Sequence, residues 1–173
     1  MSILNLVYAP ATVLEKKAHE VKNIDKPLKS FVNNMFDTMY KNNGVGLAAP
    51  QVNESLQVIV MDCSSKNKES NPRVLLNPKI INQSDTCKEY EEGCLSFPDH
   101  YFSISRPDSL NVKFLDLEGN KKETFFSGFE AVCVQHEIDH LSGTLFTSYI
   151  SRLKRQIILK KMQKFKKNIN KSI

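Results

Sequence analysis

Two histidines with a glutamate between them, His136, Glu137 and His140, have the spacing of half a metal site on a helix. Residues i and i+4 of an α-helix are offset by about 40° and lie about 6 Å apart, so both imidazoles can reach one ion. Glu137 would lean over the same opening as a base. The same string can also be the solvated face of an ordinary helix, because short motifs carry a false-positive risk. The pattern indicates a metal-dependent hydrolase if the chain supplies a third ligand.

The residues around this string favour a buried helix. Ser127 and Gly128 form a start signal and Gly143 a stop signal. Apolar residues recur between them at near-helical spacing: Phe129, Val132, Val134, Ile138 and Leu141. Buried histidine and glutamate side chains need polar partners, and one ion would satisfy all of them.

Cysteine is the residue type to consider for the third ligand, because the chain has four cysteines and only two other histidines. Cys94 follows Gly93 and precedes Pro98, so its backbone is constrained in the way that a placed ligand requires. With His136 and His140 it would form a three-ligand set with an open fourth position, as catalytic metal sites have.

The other cysteines and His100 have simpler interpretations. Cys63 ends an apolar strand-like run and is interpreted as a small buried hydrophobe in a strand, whereas Cys87 has no local signature. Cys133 shares the helix stripe with His136 and is interpreted as a packing or pocket residue. We interpret His100 as a solvated loop histidine and not as a fourth ligand.

A segment of small residues, residues 44–52, is a third candidate element. Its Gly-x-Gly lacks the third glycine and the strand-before, helix-after context of a dinucleotide loop, so that interpretation is set aside. The small residues allow the backbone of a ligand to approach closely, and Gln51 offers an amide donor for an oxyanion.

These three segments together resemble the motifs of the peptide deformylase family. G-x-G-x-A-A-x-Q matches residues 44–51, E-G-C-L-S matches residues 92–96 and Q-H-E-x-D-H matches residues 135–140. The resemblance extends over about residues 4–150, and the joint match is far more specific than any single motif.

The resemblance implies a metal-dependent hydrolase that removes the formyl group from the N-terminal formyl-methionine of nascent polypeptides and releases formate. Such an enzyme is an amide hydrolase that acts on a non-peptide C–N bond. The ion would lower the pKa of its bound water, which attacks the formyl carbon with Glu137 as general acid and base. The working ion would be Fe²⁺, although Zn²⁺, Ni²⁺ or Co²⁺ can occupy the same ligand set. The metal ligands would be Cys94, His136 and His140.

The resemblance also implies the substrate contacts. Gln51 and the backbone N–H of Leu95 would form the oxyanion site, and the Gly46 backbone would contact the peptide chain. The methionine side chain would enter a pocket that includes Val45, Phe129, Val132 and Cys133.

Two further residues follow from the family pattern. Asp139 resembles the family aspartate that pairs with an arginine, here Arg106; an ordinary surface ion pair is the alternative. Tyr101 departs from the pattern, because many bacterial relatives have an arginine soon after the E-G-C-L-S string. The resemblance therefore does not predict how the residues after methionine are held.

Two other classes of function remain open. A general zinc metallopeptidase also has a His-Glu-x-x-His motif, but its third ligand usually lies downstream of the helix, whereas Cys94 lies upstream. An RNA-binding module with a structural metal would account for a basic tail, but it would leave Glu137 and Gln51 without a role.

Length and composition predict one enzyme domain, with residues 1–150 as its catalytic part and residues 151–173 as its basic C-terminal helix and tail. A chain of 173 residues with 40% hydrophobic residues can bury a core. The chain has no long apolar span, and residues 1–7 lack the basic lead of a signal peptide, so we expect no membrane segment. Four cysteines without framework spacing suit a reducing compartment. We expect a monomer in a bacterial cytoplasm, with an organelle as the alternative.

Hydrophobic periodicity predicts an α+β fold, with antiparallel or mixed sheets packed around the central metal-binding helix and with a C-terminal helix. A long helix is predicted over residues 28–40 and a surface loop over residues 64–72. Strands are predicted over residues 56–61, 74–81, 110–115 and 121–126, the last two joined as a hairpin across residues 118–120.

The basic charge is concentrated at the C-terminal end. Nine of the 24 basic residues lie in residues 152–171, and no acidic residue occurs from Ser151 onward. The other fifteen basic residues and the nineteen acidic residues leave a net charge of −4 for the rest of a chain whose total is +5. Apolar residues at near-helical spacing from Leu153 to Ile169 predict an amphipathic helix that frays over residues 168–173. Its basic face is either a solvated surface or an RNA contact, and the resemblance favours the ribosome, near where nascent chains emerge.

Overall fold

The computed structural model describes residues 2–64 and 69–169. Its helices are α1 (Lys26–Lys41), α2 (Gly128–Ser142) and α3 (Arg152–Ile169). Its strands are β1 (Gly46–Ala48), β2 (Val58–Met61), β3 (Arg73–Gln83), β4 (Cys87–Cys94), β5 (Phe97–Pro107), β6 (Ser109–Leu115) and β7 (Lys121–Ser127). Short 3₁₀ helices span Thr12–Glu15, Ala49–Val52 and Phe146–Tyr149. Residues 65–68 of the predicted surface loop and residues 170–173 of the predicted frayed tail lie outside the described residues.

The strands form two sheets. Five strands pair in the order β1-β2-β3-β6-β7, and β4 pairs with β5 in a separate two-stranded sheet. Every pairing between these strands is antiparallel, so the antiparallel form of the predicted sheets is the one observed. Leu110 lies opposite Phe126 and Leu115 opposite Lys121, which confirms the predicted hairpin across residues 118–120.

The large sheet is buried on both faces at β2, one of its strands. Successive side chains of a strand point to opposite faces. Ile59 packs in the cluster that includes Val134 of α2, whereas Val60 packs in the cluster that includes Met35 of α1. The sheet therefore lies between α1 and α2, and the predicted α+β fold with a central α2 is confirmed.

The C-terminal helix is anchored by one apolar edge. Ile158 and Met162 of α3 are buried in a cluster with Phe97 of β5 and Phe146. This confirms the predicted C-terminal helix. None of the helices in the described ranges has the length and apolar content needed to cross a membrane.

Several strand predictions were wrong or missing. β2 begins at Val58 and not at residue 56, because Leu56 forms only an isolated bridge with His19. β1, β4 and β5 were not predicted, since β1 has three residues and the other two carry many charged or polar side chains on an exposed face. His100 lies in β5 and not in a loop. Cys63 follows the end of β2 instead of lying within it, and it packs half-buried against the core.

A pair of leucines tests the position of this core. Leu75 is fully buried (0% exposed) beneath α2, whereas Leu153 on α3 is 68% exposed. We expect Leu75→Ala to lower the free energy of unfolding by about 2–5 kcal/mol, because it leaves a cavity. Leu153→Ala should change it by less than about 0.5 kcal/mol. Urea denaturation followed by circular dichroism measures both values, and equal losses would contradict the assigned core.

Candidate metal centre

Three side chains from two elements converge at one face of α2. His136 and His140 lie on α2 and Cys94 ends β4. Their ligand atoms all lie within 4.8 Å of one another, and in the described part of the chain they form the group that could hold a metal ion. Cys94 Sγ lies 3.2 Å from His140 Nε2, and the two imidazole centroids are 5.1 Å apart. The structure thus brings together the three residues that the sequence singled out as ligands.

An irregularity in the small sheet positions Cys94. The β4–β5 pairing is regular as far as Gly93 opposite Tyr101, and then shifts so that Cys94 lies opposite Phe97. Phe97 is fully buried, with its ring centroid 5.2 Å from that of Phe146. The tight connection after Cys94 is therefore held by the core, and such ladder breaks re-aim side chains.

Glu92 orients His136 and connects it to Arg106. Glu92 Oε2 lies 2.8 Å from His136 Nδ1, which leaves Nε2 of the ring for a metal. Arg106 Nη2 donates to Glu92 Oε2 at 3.0 Å, and Arg106 Nη1 donates to Asp139 Oδ2 at 2.9 Å. The predicted pair of Asp139 with Arg106 is confirmed, and the Tyr149 hydroxyl also donates to Asp139 Oδ2.

The role of Glu92 was not predicted, although Glu92 begins the E-G-C-L-S motif. The available signal was its position two residues before Cys94, which would place both side chains on one face of a strand. That signal required β4 to be recognised as a strand.

The buried groups shift one another's pKa values. Burial lowers the pKa of His140 well below its usual range, and the nearby charge of His136 acts in the same direction. His140 is therefore neutral, as a metal ligand must be. Burial also favours the neutral form of His136, but its hydrogen bonds with Cys94 and Glu92 outweigh burial and raise its pKa well above the usual range. The centre thus favours a positive charge between Cys94 and Glu92, which fits a metal cation.

Glu137 projects into the same space. Its Oε2 atom is buried and has no hydrogen-bond partner among the described residues. Burial raises the pKa of Glu137 to about 7, near the range in which a carboxyl group can both accept and release a proton at neutral pH. An unpartnered buried carboxyl group beside three ligand atoms fits a site that binds an ion.

Gly46 allows β1 to pass close to α2. A Cβ atom at Gly46 would lie 2.5 Å from Glu137 Oε1 and 2.8 Å from Cys133 Sγ, which is closer than real side chains approach. Cys133 is buried, with Sγ 3.6 Å from the Val45 carbonyl oxygen. Cys133 thus packs against the chain just before β1 and lines the cavity, in agreement with its interpretation as a packing or pocket residue.

The Gln51 amide is turned towards the ligands. The backbone N–H of Ala48 donates to Gln51 Oε1 at 2.8 Å, which fixes the orientation of the amide. Its Nε2 group then lies 3.5 Å from Cys94 Sγ and 3.3 Å from Ser96 Oγ. The amide donors of Gln51 thus face Cys94 at the centre.

An open cavity of about 510 Å³ connects the centre with solvent. Cys94, His136 and Glu137 lie in its wall. The residues predicted to contact substrate or an oxyanion all line it: Val45, Gly46, Gln51, Leu95, Phe129, Val132 and Cys133.

Comparison with known proteins identifies the family. The family model described as Polypeptide deformylase matches residues 3–156. The chain belongs to this family. A peptide deformylase from Maricaulis maris is 44% identical over 168 residues, which cover 97% of each chain.

Solved peptide deformylase structures have the same fold. The crystal structure of the enzyme from Ehrlichia chaffeensis is similar with a TM-score of 0.92 at 35% identity, covering 96% of this chain and 98% of that chain. The Met-Ala-Ser-bound class I type b peptide deformylase from Acinetobacter baumannii gives a TM-score of 0.82 at 37% identity, covering 86% of this chain and 99% of that chain.

Two residues on the cavity wall of this deformylase were not assigned a role from the sequence. Tyr101 is 62% exposed and lies opposite Gly93. His100 is half-buried, with Nδ1 2.7 Å from the Pro98 carbonyl oxygen. Within the described residues His100 is not part of the group that could hold a metal.

The ligand set of this deformylase can be tested by spectroscopy. We expect the metal-free chain to bind one Co²⁺ ion with release of protons and with a thiolate-to-cobalt charge-transfer band, because the ligands must be deprotonated. Cys94→Ser should abolish the band. Cys87→Ser is the matched control, since Cys87 is an exposed cysteine at the first position of β4. A band that persists in Cys94→Ser, or one that disappears in Cys87→Ser, would rule out the proposed thiolate ligand.

Proposed function

We propose that this chain removes the formyl group from the N-terminal formyl-methionine of nascent polypeptides and releases formate. The observation that carries the proposal is one cavity in which the Glu137 carboxyl group and the Gln51 amide lie beside the metal-ligand set. The Met-Ala-Ser peptide bound by the Acinetobacter baumannii relative supports it, because this peptide is what deformylation of formyl-Met-Ala-Ser would leave.

The residues of this chain would divide the chemistry between them. Cys94, His136 and His140 would hold the ion, which would supply Lewis acidity and make water more acidic at the centre. Glu137 accepts a proton from the attacking water and delivers it to the methionine nitrogen as the C–N bond breaks. Gln51 Nε2 and the backbone N–H of Leu95 donate to the formyl oxygen as negative charge develops on it.

The cavity also supplies places for the peptide. Gly46 keeps β1 close to Glu137, so a peptide held by the Gly46 backbone would present its formyl group to the centre. The methionine side chain would enter the apolar part of the cavity, where a thioether adapts well to an irregular surface. This part is formed by Val45, Phe129, Val132 and Cys133.

The same proposal includes the ion and the setting. We propose Fe²⁺ as the working ion, with Zn²⁺, Ni²⁺ or Co²⁺ able to replace it, because one thiolate and two imidazoles suit all four. A monomer is proposed, since the ligand set is complete within one chain. A cytoplasmic location follows from a substrate that is a nascent chain.

Removal of the Glu137 carboxylate tests the proposed mechanism. The anaerobically prepared, metal-loaded protein should release formate from formyl-Met-Ala-Ser. Glu137→Gln should keep its metal but lose about 10²–10⁴ in kcat/KM, because that is the usual contribution of a general acid–base. Glu130→Gln is the control, since Glu130 lies on the same helix outside the cavity and contacts Arg73.

Other results of this formate-release assay would each contradict one part of the proposal. Full activity in Glu137→Gln would exclude Glu137 as the acid–base. No formate release by protein with confirmed bound metal would reject the deformylase proposal. Cleavage of internal peptide bonds would favour the zinc metallopeptidase, and binding of RNA without hydrolysis would favour the RNA-binding module.

We also propose that α3 contacts the ribosome, as part of the same domain as residues 1–150. Ile158 and Met162 bury one edge of the helix, which leaves a basic surface exposed. Basic side chains that displace counterions from phosphates supply salt-dependent affinity for RNA. The exposed basic residues of α3 are Arg152, Lys154, Lys160, Lys161, Lys164 and Lys167.

Charge reversal on α3 tests this contact. Lys160→Glu with Lys164→Glu should lower co-sedimentation with ribosomes at low salt by at least about tenfold, because each lost phosphate contact weakens binding. Lys29→Glu with Lys41→Glu on α1 makes the same change in net charge at exposed positions. Equal losses in the two double variants would show that net charge alone, and not α3, determines the binding.

A further inference from the structure

Asp62 carries a buried negative charge outside the wall of the cavity. It directly follows β2, is 6% exposed and forms no ion pair with any residue that the structure describes. Five neutral donors hold its carboxylate instead, at 2.6–3.3 Å: the backbone N–H groups of Ser64 and Asn71 and the hydroxyls of Ser64, Ser70 and Tyr40. Burial would raise the pKa of Asp62, but the hydrogen bonds with Ser64 and Ser70 outweigh burial and lower it. The carboxylate is therefore charged at neutral pH, which strengthens each of these hydrogen bonds.

One of the five donors belongs to the last turn of α1. The Tyr40 hydroxyl donates to Asp62 Oδ2 at 2.9 Å. The chain turns just after this residue, and the turn is bonded to α1: Asn43 N–H donates to the Tyr40 carbonyl oxygen at 3.1 Å and Gly44 N–H to the Met39 carbonyl oxygen at 2.9 Å. Asn43 has a φ of 54°, a conformation that its surroundings must maintain. The position of the last turn of α1 therefore determines the position of the turn that follows it.

The backbone of Asp62 holds the far end of the same turn. Its N–H donates to the Val45 carbonyl oxygen at 2.9 Å. We call the contacts of Asp62 with Tyr40 and Val45 the Asp62 bracket, and residues 42–46 the wall segment, because all five line the cavity. The wall segment leads into β1, which has three residues and is an edge strand of the large sheet. An edge strand is paired on one side only, so contacts at its ends help to fix its position.

The wall segment touches groups on the inner side of the cavity. A Cβ atom at Gly44 would lie 2.9 Å from Leu95 Cδ1, and one at Gly46 would lie 2.5 Å from Glu137 Oε1. The segment therefore has no room to move inward, and the Asp62 bracket restrains it from moving outward. Both the peptide contact proposed for Gly46 and the methionine contact proposed for Val45 lie on this segment.

We propose that Asp62, acting through Tyr40, is a positioning residue that holds the wall segment in place for the peptide before the peptide binds. Without the bracket, the segment would have to be ordered on binding, and this cost would weaken affinity. The loss should appear in KM and in the Kd of a bound peptide but not in kcat, because the segment contacts the peptide equally in the ground state and in the transition state. The inference rests on the proposed deformylase function and concerns the same cavity.

Two hydroxyls that donate to the same carboxylate oxygen separate positioning from folding. Tyr40→Phe removes the donor on α1 and keeps the ring that stacks on Phe36. Ser70→Ala removes the other hydroxyl on Asp62 Oδ2, which comes from the chain between β2 and β3. In the full, metal-loaded protein, Tyr40→Phe should raise KM for formyl-Met-Ala-Ser and Kd for Met-Ala-Ser by about three- to tenfold, with kcat within about twofold of the parent value. Ser70→Ala should leave all three values within about twofold, because it does not touch α1 or the wall segment.

A second substitution tests whether Asp62 and Tyr40 act as a unit. Asp62→Asn keeps the size of the side chain but replaces one acceptor oxygen with an NH₂ group, which cannot accept a hydrogen bond. We expect it to raise Kd about as much as Tyr40→Phe does, and the double variant to match either single variant within about twofold, because both changes break the same contact. A double variant whose effect is the product of the two single effects would show that the residues act separately and would overturn the proposal.

The Kd of Met-Ala-Ser, measured by calorimetry on the Co²⁺-loaded protein, does not depend on turnover. No formate release by the metal-loaded parent overturns the deformylase function, and the Kd values then still test the bracket. A parent that neither releases formate nor binds the peptide overturns both. An unchanged Kd in Tyr40→Phe, or an equal rise in Ser70→Ala, overturns the positioning role. The thiolate-to-cobalt band should be the same in Tyr40→Phe as in the parent, and an altered band would place the effect at the metal and overturn the proposal.

Discussion

The buried carboxylate of Glu92 is the contact on which the geometry of the centre depends. It accepts from Arg106 and lies 2.8 Å from His136 Nδ1, so one side chain connects β4, β5 and α2. Burial alone would raise the pKa of Glu92, but its hydrogen bonds with His136 and Arg106 outweigh burial and lower it. A buried charge is tolerated only when each of its partners is in place. The orientation of the His136 ring and the docking of the small sheet on α2 therefore depend on the same contacts.

This arrangement explains why the ligands come from two separate elements. An α-helix can present His136 and His140 on one face, but a third ligand from the same helix would lie too far round the axis or along it. The small sheet supplies Cys94 instead, and the buried Phe97 and the Arg106–Asp139 pair fix that sheet against the rest of the chain. A ligand set built across an interface is only as well ordered as the interface, which is why so much buried polar structure surrounds it.

Local sequence patterns predicted the elements that bury a regular apolar stripe. α1 and α2 have helical periodicity with clear ends, and β6 and β7 alternate around a glycine turn, so their bounds agree with the structure within two residues. β4 and β5 were missed because many of their side chains are polar and exposed, so neither strand has a continuous apolar pattern. Each pairs only with the other, and that pairing is not visible in the sequence of either strand.

The residues of the candidate site that lie within short motifs could be predicted from the sequence. The motif spacing identified Cys94, His136 and His140, and the structure brings them within 4.8 Å. The contact of Glu92 with His136 spans 44 residues of sequence, and no local pattern encodes such a pair. The same holds for Tyr101, whose position over Gly93 depends on the register of two strands that the sequence did not reveal.

The chain separates its charges by location, and this separation has a consequence for the proposed function. The exposed face of α3 is basic and would attract phosphate, whereas the cavity wall carries four carboxyl groups and no lysine or arginine among the described residues, so it would repel phosphate. An RNA backbone would therefore be held at the helix and excluded from the cavity, even though both lie on one small molecule. A nascent chain carries no phosphate backbone, so the proposed substrate would meet no such barrier at the cavity. Opposite charges at the two sites would thus allow the proposed deformylase to work beside RNA without RNA occupying the place of the substrate.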